Sequence, residues 1–150
     1  MDIKLYTKPD RLERYSFLWS EARLVVAALA LFIGGTPPVI RYNPFPSLFG
    51  LILFLVTIAW IVSGVASAYL VHRWVQSDKK LFGKKLNLDT GAFLVSVVSG
   101  INLGLAGVGG KNIGMAFFSG KILFMLVALL YVASAAYLFW RWRESGEKIF

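Results

Sequence analysis

The sequence predicts an all-α protein: an integral membrane bundle of four transmembrane helices, preceded by a short amphipathic N-terminal segment. Leu24–Ile40, Tyr42–Val71, Thr90–Gly110 and Ile122–Trp140 carry no charged residue and run to 17, 30, 21 and 19 residues. A hydrocarbon core of roughly 30 Å is crossed by about 20 helical residues. These segments are apolar all round, whereas the helices of a soluble bundle keep a polar face. Of the 150 residues, 57% are hydrophobic and 16% charged, against about 25% charged in a soluble domain. One domain, residues 1–150, is filled by spans at about 17–36, 47–74, 89–108 and 119–143.

Each element has a local reason. Before the first span, the apolar run shows no small-residue cleavage pattern, so no cleavable signal is expected. Residues 10–22 read as an interfacial helix continuous with span one. Asp10 and Glu13 have capping-box spacing, and Leu12, Tyr15 and Trp19 share a face suited to the head-group level. Gly34 and Gly35 should end span one, because Pro37 and Pro38 cannot extend the hydrogen-bond ladder. Four of the five prolines fall in Thr36–Pro46, a short stiff connection. Span two is longer than the hydrocarbon is thick, so it should tilt or project. The basic stretch Ser77–Leu88 reads as a loop turning at Gly83. Asp89 or Thr90 is the expected cap of span three, and Gly146 the stop after span four.

Charge sets the expected orientation. Thirteen of the sixteen Lys and Arg residues flank one side of this topology. Only Arg41, Lys111 and Lys121 fall on the other. The positive-inside rule then places both termini and the middle loop in the cytoplasm. The expected location is the plasma membrane of a prokaryote.

Composition removes several chemistries. There is no cysteine, so disulfides, thiolate metal sites and thiol nucleophiles are excluded. The single histidine, His72, cannot build a histidine-rich metal site. It sits in the stretch Tyr69–Val75 near Trp74, where an interfacial aromatic cluster is the plain reading. No cofactor, no metal and no enzymatic activity are expected. The net charge of +8 lies beside span ends, which suits anionic head groups rather than nucleic acid. Membrane lipids are therefore the expected partners, with a homo-oligomer or other membrane subunits beside them.

Small residues recur at every fourth position and should let helix backbones approach. Span two offers Ser63 and Ser67. Span three offers Ala92, Ser96, Gly100 and Gly104. No Asp or Glu is expected inside any span, which argues against a proton relay or a cation-coupled carrier. Asn102 is the most polar group deep in a span, suited to an interhelical hydrogen bond or a solute contact. Leu103–Gly114 is glycine-rich, but Leu105 and Asn112 break the phosphate-loop pattern. It reads as an external hinge or, with Asn112–Gly120, a re-entrant segment.

The leading functional expectation is a small non-enzymatic membrane subunit or scaffold that packs or oligomerises through these small-residue faces. The alternative is a small pore or transporter, with Asn102, Gly104, Gly107, Gly109 and Gly110 along its path. The orientation is open to direct test. Single cysteines at Lys80 and Asn43 are expected to react with impermeant maleimide from opposite sides of the membrane. Equal labelling of either from both sides would refute the assignment.

Overall fold

The computed structural model describes residues 9–110, 112–117 and 120–150. In chain order they form helix α1 (Pro9–Phe32), a short α2 (Pro38–Arg41), a 3-10 turn (Pro46–Leu48), α3 (Phe49–Gln76), α4 (Asn87–Gly109), a short α5 (Ile113–Phe117) and α6 (Lys121–Glu144). Outside the helices, Leu81 and Lys84 form an isolated antiparallel bridge. Four helices, α1, α3, α4 and α6, are long and apolar enough to cross a membrane. The chain is thus an all-α bundle of four candidate spans. The helix α3 packs chiefly on α4, and α1 chiefly on α6.

Glycines end α1 as their spacing suggests. Gly34 and Gly35 hold positive φ of 97° and 86°, which glycine adopts without a Cβ clash. The Gly35 N–H donates to the Ala30 carbonyl at 2.7 Å, and Arg41 donates to the Ile33 carbonyl. Orphan carbonyls at the helix end are satisfied in this way.

The helix starts differ from the sequence reading. Asp10 lies inside the first turn of α1, and Glu13 pairs with Arg73 of α3 rather than with a helix end. Leu12, Tyr15 and Trp19 do share a face, and it is the exposed one, at 38–50%. At α4, Leu86 occupies the cap position without a side-chain cap bond. Asp89 instead turns inward and is fully buried. It accepts from the Tyr137 hydroxyl at 2.6 Å, and from Arg141 Nε and Nη2, both at 3.0 Å. This two-pronged pair ties the start of α4 to the end of α6. A buried carboxylate gains more from a guanidinium fork than from an exposed helix cap.

The end where α1 begins and α6 stops is densely packed. Phe17, Leu70, Phe93, Leu138 and Trp142 meet there with Leu81, Phe82 and Ile149. The Phe82 N–H donates to the Ile149 carbonyl at 2.7 Å. The α3–α4 link is therefore part of the core at Leu81 and Phe82, and solvated only around them.

The α3–α4 contact is set by glycine. A Cβ on Gly104 would lie 2.6 Å from the Gly64 Cα, and a Cβ on Gly100 would lie 1.9 Å from Ser67 Oγ. The three atoms nearest that Cβ on Gly104 all belong to the Gly64 backbone, which cannot swing away. Gly104→Ala should therefore push the helices apart and cost about 1–3 kcal/mol, read as a lower thermal midpoint in detergent. Gly91, with nothing within 4 Å of its missing Cβ, serves as control. Gly91→Ala should leave the midpoint unchanged or raise it.

Candidate functional site

Polar groups gather half-way along the bundle. Glu13, Ser16, Ser20 and Arg23 recur at helical spacing on the inward face of α1, with Glu21 beside them. Glu21 and Arg23 are only 6% and 8% exposed. They sit near the middle of α1, level with the middles of α3 and α4. Arg23 Nη1 donates to Ser99 Oγ at 2.8 Å, and Nη2 donates to the Ser96 carbonyl at 2.7 Å. The Ser96 hydroxyl donates to Glu21 Oε1 at 3.3 Å. From α1, the Trp19 indole N–H also donates to Ser63 Oγ of α3 at 3.0 Å.

The expectation that the spans hold no acid is thus corrected. The uncharged run begins at Leu24, but the helical span starts more than a turn earlier and carries Glu21. Among the described residues, neither Glu21 nor Arg23 lies within ion-pair distance of an opposite charge. Their contacts run to neutral groups of α4. Glu21 Oε2, Arg23 Nε and the Ser20 and Ser67 hydroxyls are buried without a hydrogen-bond partner. Ionisable side chains inside a span are costly, and they mark functional positions.

Above this belt the bundle does not close. A cavity of about 870 Å³ extends from Trp19, Arg23, Ser63 and Ser99 toward Gly35, Asn112 and Met115. It thus occupies the half of the bundle remote from the densely packed end. Its walls are apolar, with Val26 and Ala30 of α1, Val56 and Trp60 of α3, and Val127 and Leu130 of α6. Val26 and Leu130 line it while remaining 52% and 51% exposed, so it is not sealed. Small-molecule sites span roughly 300–1,000 Å³ and combine apolar walls with a few polar groups.

The residues singled out in the sequence part company here. Asn102 lines the cavity, and its amide also holds the α5 turn. Asn102 Nδ2 donates to Asn112 Oδ1 at 2.8 Å, and the Gly114 N–H donates to Asn102 Oδ1 at 3.1 Å. Gly104 and Gly107 lie instead in the α3–α4 seam, against Gly64 and Ile61. Gly109 is exposed, and Gly110 ends α4 with φ of 68°. These five residues do not converge on one path. Ser67 and Gly100 meet in the same seam, whereas Ser96 faces Glu21 and Ser63 faces Trp19. Ala92 joins the core at the densely packed end. The small-residue stripe of α4 is therefore occupied within the chain. His72 is exposed. Among the described residues, no three His, Cys, Asp or Glu side chains gather as metal ligands.

Arg23 carried a sequence signal that hydropathy concealed. Residues 13, 16, 20 and 23 recur at helical spacing and mark one stripe, beside the stripe of Leu12, Tyr15, Trp19 and Val26. Glu21 falls about 120° from the first stripe at 100° per residue, so its burial had no such signal. The face that turns inward is mixed, because Phe17, Leu24 and Ala28 are buried beside those polar residues.

Asn102 offers a test of the α5 anchor. Asn102→Leu removes the acceptor of the Gly114 amide and the donor to Asn112, which itself accepts from the Met115 N–H. Amide exchange at Gly114 and Met115 should accelerate at least tenfold, while exchange within α3 stays unchanged. No family model matches this chain, and no curated protein and no solved structure matches it.

Proposed function

We propose that this protein is a small non-enzymatic membrane carrier that receives a small amphiphilic solute inside the bilayer. One observation carries the reading: a buried guanidinium at mid-span faces an open, apolar-walled cavity. The cost of holding that charge in hydrocarbon is explained if a ligand uses it. Termini in the cytoplasm would make the cavity belong to the outer half of the bilayer. Among the described residues, no nucleophile, base and acid meet at the cavity, which supports binding and movement rather than bond chemistry.

A scaffold role draws on the outward face of α3, whose most apolar stretch is only 6% buried. Lipid chains cover such a face without a partner. The α4 stripe that suggested self-association is already spent on α3 and α1. The cavity therefore weighs more than the exposed helix.

The test uses Trp19 and Trp60, which both line the cavity. A neutral apolar fluorophore, N-phenyl-1-naphthylamine, added to purified protein in detergent should show saturable energy transfer from these indoles. Ala30→Phe should fill the cavity and cut that transfer at least fivefold. Transfer that neither saturates nor responds to Ala30→Phe would refute the binding role.

A further inference from the structure

We infer that the ligand is a single-chain amphiphile with one anionic head group, a carboxylate or phosphate, seated on Arg23. This rests on the carrier reading above and specifies its substrate class. Among the described residues lining the cavity, Arg23 is the only charged one. Glu21 does not line it, because its carboxylate turns to Ser96 of α4. The cavity therefore meets the cation without meeting the acid.

The guanidinium is also held in a fixed pose. Its two terminal nitrogens donate to Ser99 and to the Ser96 carbonyl, and its Nε is buried with no partner. The residue retains only 8% exposure. A neutral acceptor could bond a guanidinium N–H at the cavity wall but would bring no charge to it. An anionic oxygen does both, and charge-assisted bonds of this kind are the strong ones.

The rest of the cavity argues for a chain. Val26, Ala30, Val56 and Leu130 give a small inorganic anion nothing to replace its lost hydration. Asn102 and Asn112, at the far end, bond to each other and to α5. An apolar chain fits these walls, and the unsealed side lets a long one continue into the bilayer.

Native mass spectrometry on protein purified in neutral detergent tests the assignment with three probes: palmitate, hexadecanol and acetate. Palmitate should bind saturably, at least tenfold more tightly than hexadecanol, and acetate should not bind. Arg23→Gln should weaken palmitate at least tenfold, and Lys121→Gln, at an exposed position, should not. Ala30→Phe keeps the charge but removes the space, so it should abolish palmitate binding even if Arg23→Gln fails to fold. Hexadecyl phosphate, run beside palmitate as a fourth probe, separates phosphate from carboxylate preference at equal chain length; binding of neither overturns the inference. Equal binding of palmitate and hexadecanol, or palmitate binding retained in folded Arg23→Gln, overturns the anionic head group while leaving the fluorophore result, and the carrier reading, intact. Acetate binding as tightly as palmitate overturns the chain. Loss of fluorophore and palmitate binding together defeats both readings.

Discussion

The close approach of α3 and α4 at Gly64 and Gly104 governs how the rest of the bundle is arranged. Two backbones that meet without side chains between them fix the rotation of both helices. Once Gly100 and Gly104 face α3, the helical repeat turns Ser99 and Asn102 toward other neighbours. Ser99 then receives Arg23, and Asn102 lines the cavity and holds α5. The seam draws two helices together at one side. The remaining helices are braced apart at mid-height by longer polar side chains, and the space above them is not filled.

The two ends of the molecule follow different physics. At the densely packed end, aromatic side chains, the Asp89–Tyr137–Arg141 cluster and the Glu13–Arg73 pair connect all four long helices. Charges there are either paired or exposed. At mid-height, Glu21 and Arg23 are buried yet contact neutral oxygen and hydroxyl groups. A rigid end beside an open, charged cavity is the division expected of a scaffold that positions a binding site. Precision in the site comes from helices whose rotation is already determined elsewhere.

Much of this architecture was legible from the amino-acid sequence. Apolar length alone placed the four spans, because a bilayer demands about 20 helical residues and forbids unsatisfied backbone. Gly34–Gly35 and Gly146 marked their helix ends for the same stereochemical reason that they adopt positive φ. The site was less legible. Hydropathy rewards the absence of charge, so it singles out the uncharged run from Leu24, and Glu21 and Arg23, though within the expected span at about 17–36, were given no role inside the bundle. Asp89 looked like a cap because its partners, Tyr137 and Arg141, lie far along the chain. Asn102 was visible as a polar group in a span, but only the fold shows that Gly109 and Gly110 point away from it.

The contact between Phe82 and Ile149 carries a consequence for biogenesis. It joins the link between the second and third spans to the segment beyond the fourth. Until α6 has inserted, Leu81 and Phe82 lack the partners that bury them, and Asp89 lacks its guanidinium. A chain with three inserted helices thus exposes aromatic surface and an unpaired acid at one membrane face. Loop closure over two intervening helices is entropically expensive and comes late. Quality-control proteases that sample half-inserted chains would find their recognition signal at this spot, and completion of the last helix would erase it.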